Sequence, residues 1–196
     1  MPDPRDLLLS SYDYALPEGF IAQAPIEPRH DAALLMAPPK GAAPSAARHG
    51  RIWDLLEELQ AGDLLVVNDT RVLKARLHVR RAGGGRSELL VLEPRNGGQW
   101  LCLARPAKRM RPGDVLTIEG TSITLTVLAV DHGSGGRLVQ FPSDCRDAAT
   151  IEALLNQYGE VPLPPYIDRH DPEDADRYQT RYAERPGAVA APTAGL

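Results

Sequence analysis

Between residues 74 and 141 the chain divides into six short strand-like segments, 74–81, 86–93, 99–105, 114–118, 122–131 and 136–141. They are separated by Gly83-Gly84-Gly85, Asn96-Gly97-Gly98, Arg111-Pro112-Gly113, Gly120 and Gly133-Ser134-Gly135-Gly136. Short strands in an open sheet leave unpaired backbone donors and acceptors along both edges. Closing the sheet on itself removes those edges, so this spacing predicts a small six-stranded antiparallel β-barrel. Ser122-Ile123-Thr124-Leu125-Thr126-Val127 alternates polar and apolar residues, as a strand with one buried face does.

The texture differs on either side. Leu34-Leu35-Met36 reads as a short buried strand, and the Pro/Ala/Gly-rich residues 37–47 as a loop. Ile52-Trp53, Leu55-Leu56 and Leu59 follow helical spacing, with Gly62 as a stop. Leu64-Leu65-Val66-Val67 is a continuous apolar run and predicts a fully buried strand, with Asn68-Asp69-Thr70-Arg71 at its carboxyl end. After the barrel segments a helix is expected over 148–157, with Asp147 as N-cap and Gly159 at its stop. An α/β region, a β-only stretch and α/β again describe an α/β main domain, incomplete here, with an inserted barrel. The boundaries are 1–76, 77–146 and 147–196.

A hydrophobic fraction of 43% with 24% charged residues supports a real core, and only two phenylalanines make that core largely aliphatic. Cys102 and Cys145 lack metal-like spacing, which fits a reduced cytosolic compartment. Leu7-Leu8-Leu9 is too short for a signal peptide, and no apolar run approaches a membrane span, so a cytoplasmic protein without membrane association is expected. The net charge of −4 conceals an asymmetry. Residues 71–111 hold eleven of the 22 Lys and Arg and two of the 26 acids, a net +9 against −13 elsewhere. A polyanion-binding face and a solvated barrel exterior both account for it.

In open α/β sheets ligands collect beyond the carboxyl ends of strands. Asp69 there could act as a base or orient a hydroxyl, and Arg71 could hold an anion; an Asx turn with a surface arginine is the plainer alternative. Gly83-Gly84-Gly85 lies between strands with no following helix, so it is a hairpin turn and not a phosphate loop. His30, His49, His78, His132 and His170 have no metal spacing. Asp168, Asp171, Glu173, Asp174 and Asp176 read as a solvated acidic loop. Pro162, Pro164 and Pro165 enforce an extended segment carrying Tyr166. Tyrosines along that rim could stack on bases, and packing beneath a loop is the commoner use. The small, apolar residues 187–196 look like the start of a buried element that is cut off.

Several longer motifs stand in order along the chain: Leu16-Pro17-Glu18 with Ile21-Ala22-Gln23, Gly62 to Val72, Ala75-Arg76-Leu77, Gly159 to Ile167, Tyr178 to Ala183 and Gly187 to Leu196. Together they resemble the S-adenosylmethionine:tRNA ribosyltransferase-isomerase family of queuosine biosynthesis, over essentially the whole chain. In that family the Pro-Thr-Ala-Gly-Leu motif runs on into His-Phe, so the resemblance implies an N-terminal portion. It also implies a bacterial enzyme, expected as a monomer, with no metal or prosthetic group. S-adenosylmethionine would be the ribosyl donor, and the acceptor a tRNA carrying 7-aminomethyl-7-deazaguanine at the wobble position of its anticodon. The product would be epoxyqueuosine, with adenine and methionine released.

Carried onto this sequence, the motifs select Asn68, Asp69, Arg71, Lys74 and Arg76; Pro162, Pro164, Pro165 and Tyr166; and Tyr178, Thr180, Tyr182 and Thr193. Asp69 and Glu160 are the proton-handling candidates among them. Two other readings stand beside the enzyme. One is a non-catalytic RNA-binding barrel, and the other is a small-molecule nucleoside hydrolase or transferase.

Overall fold

The structure is a computed structural model that describes residues 3–41, 43, 46–169 and 171–196. Parts of the expected 37–47 loop (residues 42, 44 and 45) and His170, within the acidic stretch, lie outside the described residues. The chain divides into two compact units, Met1–Leu59 with Pro165–Arg169, and Gln60–Pro164 with His170–Leu196.

In the first unit, strands β1 (Ala33–Met36) and β2 (Arg48–Arg51) form an antiparallel pair. A 3-10 turn at Ile52–Asp54 runs into a single helical turn, α1 (Leu55–Glu58). The expected strand and helical spacing are present, but the helix is a single turn that stops at Glu58 and not at Gly62, and β1 is not the buried strand the sequence suggested: Leu35 is 61% exposed. With only β2 beside it, the pair leaves its outer face to solvent. Trp53 donates from Nε1 to Asp31 Oδ1 at 3.1 Å and packs on His30 with ring centroids 3.8 Å apart. Gln23 holds the proline-flanked tip. Its Nε2 donates to the Tyr166 carbonyl at 2.9 Å, and its Oε1 accepts from the Asp168 amide at 2.9 Å.

The second unit contains the barrel. Before it comes the short strand β3 (Thr70–Val72). The barrel strands are β4 (Arg76–Arg81), β5 (Arg86–Arg95), β6 (Gln99–Arg105), β7 (Val115–Ile118), β8 (Thr124–Val130) and β9 (Arg137–Gln140). They close in the order β4-β5-β6-β9-β8-β7, every pair antiparallel, with β7 returning to β4. This is the predicted barrel, and each strand lies within about two residues of its expected limits, the spread normal for strand ends. Register shifts at Val91/Glu93 in β5 and Val127/Ala129 in β8 sharpen the coil, as bulges do in tightly curved sheets.

Alternate side chains point inward. Leu77 and Val79 from β4, Leu89 and Val91 from β5, Leu116 and Ile118 from β7, and Leu125 and Val127 from β8 are all at most 2% exposed. Helix α2 (Ala148–Tyr158) joins this core through Ile151, Leu154 and Leu155. Its start is the expected one: Asp147 accepts from the Thr150 amide at 2.8 Å, and Thr150 Oγ1 accepts from the Asp147 amide at 3.2 Å. That hydrogen bonding holds the Asp147 carboxyl below the ordinary aspartate range. Burial pushes the Cys102 thiol far up.

One expectation fails clearly. Leu64–Val67 is not a strand, and Leu64 and Val66 are 87% and 83% exposed. An apolar run becomes a buried strand only where a ladder partner and a covering layer exist. Here strand pairing begins at Thr70, where β3 runs parallel to β10 (Arg185–Ala188). Among the described residues, the sheet outside the barrel consists of these two-stranded pairs. No helix among them is long and apolar enough to cross a membrane.

Candidate functional site

The site is built around β3 and the residues that follow it into β4. Asn68 closes an Asx turn, its Oδ1 accepting from the Thr70 amide at 2.8 Å, so the plainer reading of that asparagine holds. Its carbonyl accepts from Thr180 Oγ1 at 2.7 Å, and Thr180 is 5% exposed. The Asp69 carbonyl receives the amides of Glu184 and Arg185 at 2.7 and 3.0 Å. Its carboxylate, 46% exposed, faces Arg185 Nε at 3.6 Å. Val72 is held at both backbone groups by one side chain. Its amide donates to Gln179 Oε1 at 2.8 Å, and its carbonyl accepts from Gln179 Nε2 at 3.0 Å. Segments more than 100 residues apart in sequence thus meet on β3. A glutamine that satisfies a buried strand residue at both groups replaces a missing sheet neighbour.

Arg71 is not available to an anion in this arrangement, because its guanidinium is paired with Glu152 of α2. Lys74 and Arg76 sit where the chain enters the barrel. Arg76 exchanges both backbone bonds with Glu160, at 3.0 and 2.9 Å, and donates from Nη2 to the Leu163 carbonyl at 3.0 Å. Between these lies Gly159, whose absent side chain permits the approach. A Cβ there would stand 2.0 Å from the Lys74 carbonyl oxygen and 2.7 Å from that of Leu155. The glycine expected as a helix stop is therefore also the contact point between α2 and the link from β3 to β4 that carries Lys74.

Beside this contact is a cavity of about 140 Å³, lined by Lys74, Glu160, Leu163, Asp171 and Asp174 among others. It places a cation and three carboxylates around one opening. Asp174, in the short helix α3 (Asp174–Arg177), is 7% exposed, so this end of the acidic stretch is not the solvated loop expected. Glu160 Oε2 lies 3.0 Å from His78 Nε2 on β4. A carboxylate hydrogen-bonded to an imidazole can pass or hold a proton. Among the described residues, no group of three or more His, Cys, Asp or Glu side chains is placed to hold a metal ion.

The remaining candidates divide. Pro162 is buried and Pro164 half-buried in the second unit. Pro165 and Tyr166 belong to the first, where Tyr166 is 49% exposed. Tyr178 is half-buried at the end of α3, its amide on the Asp174 carbonyl at 2.8 Å. Tyr182 is 52% exposed, and Thr193 lies exposed in a 3-10 turn. From the sequence, His78, Gln179, Asp171 and Asp174 carry no site role: the histidine lacks metal spacing, and the two aspartates read as part of a solvated loop. Gln179 stands inside a motif already marked, between Tyr178 and Thr180, and could have been found there. Nothing local links His78 to Glu160, 82 residues away.

The ordered motifs are matched as a whole as well. A family model described as queuosine biosynthesis protein covers residues 9–196. The chain belongs to that family. Among queuosine biosynthesis proteins, one from Parasynechococcus marenigrum (strain WH8102), named S-adenosylmethionine:tRNA ribosyltransferase-isomerase, is 80% identical over all of this chain and 54% of its own length. A Synechococcus sp. (strain CC9605) relative of the same name is 79% identical over the same shares. One from Prochlorococcus marinus (strain MIT 9313) is 66% identical over 99% of this chain and 53% of its own. The chain spans about half the length of the curated relatives it matches. A crystal structure described as S-adenosylmethionine tRNA ribosyltransferase from Thermotoga maritima covers 90% of this chain and 56% of its own, at 26% identity and a TM-score of 0.35.

Proposed function

We propose that this chain is part of an S-adenosylmethionine:tRNA ribosyltransferase-isomerase. The observation that carries the reading is 80% identity, over every residue of the chain, to a protein of that name. In the proposed reaction the ribosyl part of S-adenosylmethionine is transferred to 7-aminomethyl-7-deazaguanine at the tRNA wobble position. Isomerisation gives the epoxycyclopentane of epoxyqueuosine, and adenine and methionine leave. The α/β character of the main domain belongs to the same proposal, and the parallel pairing of β3 with β10 supports it.

The sulfonium of the donor acidifies the adjacent C5′ hydrogens and makes methionine a good leaving group. The protein must then supply a base, stabilise the departing adenine and keep water out. Glu160 is the base candidate the geometry supports better. It lines a cavity with Lys74, and His78 sits 3.0 Å away to orient the carboxylate or relay its proton. Asp69 is set in a different network, with its carbonyl bound by two amides and its carboxylate turned to Arg185. Asn68 and Thr180 fix the turn that carries it. Asp69 thus acts as a positioning residue in this reading. Tyr166 and Tyr178 are the base-stacking candidates, and Pro162, Pro164 and Pro165 stiffen the segment before Tyr166.

The test is adenine release from S-adenosylmethionine in the presence of precursor tRNA, under single-turnover conditions, with the protein at the full length of its relatives. Glu160→Gln is expected to slow release by roughly 100-fold or more, the usual worth of a positioned base. Asp69→Asn is expected to have the smaller effect. Release from Glu160→Gln at the parental rate removes Glu160 from the role. A parental protein that binds tRNA and releases no adenine leaves only an RNA-binding module.

A further inference from the structure

The basic segment 71–111 is not uniformly neutralised. Arg71 pairs with Glu152, Arg80 and Arg86 share Glu119, and Arg95 pairs with Glu93. Arg81, Lys108, Arg109 and Arg111 have no ion-pair partner among the described residues. These four line one cavity of about 340 Å³, between the end of β4 with its hairpin turn and the loop entering β7. The lining contains a single carboxylate, Asp114, which is committed to its own turn: its Oδ2 accepts from the Arg111 amide at 2.7 Å.

The loop that carries three of the four is held in shape from below. Arg137, on β9, is 7% exposed and has no carboxylate partner among the described residues. Its Nε donates to the Met110 carbonyl at 2.7 Å, and its Nη2 to that of Ala107. Nη1 donates to the Gly135 and Gly136 carbonyls, each at 2.9 Å. Burying a guanidinium is costly unless its donors are satisfied. Here that group holds the carbonyls at both ends of the 107–110 turn that carries Lys108 and Arg109. Three of the four cavity cations stand on a loop fixed by Arg137, and Arg81 stands at the end of β4 with its Nε donating to Ser87 Oγ at 3.2 Å. Without an ion-pair partner among the described residues, the four repel one another until an anion arrives.

We propose that this cavity is a docking site for backbone phosphates of the RNA substrate, made by Arg81, Lys108, Arg109 and Arg111 and positioned by Arg137. The choice of RNA as the source of the phosphate rests on the function proposed above; the anion site itself rests on the structure. A polyanionic strand fits better than an isolated anion because the charges are spread along a loop and a strand end. Arginine forks favour phosphate oxygens over a compact halide.

The test is binding of an RNA hairpin the size of an anticodon stem-loop, followed by fluorescence anisotropy across a salt series. Each phosphate contact contributes roughly 0.7–0.9 to the slope of log affinity against log salt. Lys108→Ala/Arg109→Ala should weaken binding roughly tenfold near 0.1 M salt and lower the slope by about 1.5, with the far-ultraviolet circular dichroism spectrum unchanged. Lys108→Glu/Arg109→Glu should weaken it further. Arg95→Ala, whose partner is Glu93, should leave the slope as it is. Parental affinity and slope in the double alanine variant overturn the proposal, as does a parental chain that does not bind the hairpin at low salt. Inorganic phosphate that binds the parental chain and is lost in the double alanine variant, while hairpin affinity and slope stay parental in that variant, assigns the cavity to free phosphate and overturns the RNA assignment. This assay reads binding alone, so RNA binding through this cavity together with no adenine release in the separate single-turnover test sinks the proposed function and leaves the docking site standing.

Discussion

Gly159→Ala should be the most damaging single-methyl substitution at the site. The backbone at Gly159 is not in the left-handed region, at φ −98°, so alanine suffers no conformational strain there. The obstacle is contact. The new Cβ would meet the Lys74 carbonyl oxygen at 2.0 Å, about 1.4 Å inside the 3.4 Å at which ordinary contact begins. It would also meet the Leu155 carbonyl oxygen at 2.7 Å. Both obstacles are backbone atoms, so neither can rotate away. Either α2 or the β3–β4 link bearing Lys74 must retreat, and the paired bonds between Arg76 and Glu160 would be strained or lost. Overpacking of this kind costs about 1–3 kcal/mol, and two weakened backbone hydrogen bonds add about 1 kcal/mol each at most. Reduced freedom of the unfolded chain offsets about 0.4–1 kcal/mol. The net loss expected is about 2–4 kcal/mol, read as a fall in urea midpoint at constant m-value. Gly83→Ala is the matched control. Nothing lies within 4 Å of its Cβ, and stability should stay within about 0.5 kcal/mol of the parent or rise slightly. Hydrogen exchange at the Glu160 amide gives a local readout, since that group donates to Arg76 at 2.9 Å. Equal stability of the two variants, with Glu160 protection unchanged, refutes the reasoning.

Three further outcomes are expected. Gln179→Leu strips both partners from the backbone of Val72, which is 2% exposed, and should cost about 1–3 kcal/mol in the same urea assay. The carboxyls of Asp147 and Asp131 are both held below the ordinary aspartate range, by hydrogen bonds from Thr150 and Ser134. Their stabilising contribution is therefore fully present above the unfolded aspartate pKa and is lost as pH falls through the lowered values, so the acid limb should lie below about pH 4. Asp147→Asn should flatten that limb in a pH titration of thermal unfolding. Cys102 is fully buried and its thiol pushed far up, so a thiol reagent at neutral pH should label it only after denaturant is added, as mass spectrometry of the modified peptide would report.

The barrel was legible because its signals are local. Glycine turns and alternation within Ser122–Val127 each act over a few residues, and six such strands have few ways to satisfy their edges. The α2 cap was legible for the same reason, since Asp147 needs only Thr150. Leu64–Val67 misled because apolar composition states what a segment can bury, not whether a partner exists to bury it. The site was legible only as a set of motifs. Its wiring depends on contacts across 82 to 112 residues, such as His78 with Glu160 and Asn68 with Thr180, which no local pattern encodes. Arg71 is a further case: its residue type suggested an anion site, and the fold gave it to Glu152. The acidic stretch was taken for a solvated loop because its charges are dense. Yet Asp174 starts a helix and is buried, which composition alone does not distinguish.

In the proposed ribosyl-transferring site Glu160, backed by His78, handles a proton. Single-turnover adenine release, with precursor tRNA bound at saturation to protein of the relatives' full length, tests it most directly. Release is expected from the parental protein, with a drop of roughly 100-fold or more in Glu160→Gln and tRNA affinity within about twofold of the parent. Unchanged release in Glu160→Gln, or no adenine released by a parental protein saturated with tRNA and S-adenosylmethionine, would contradict it.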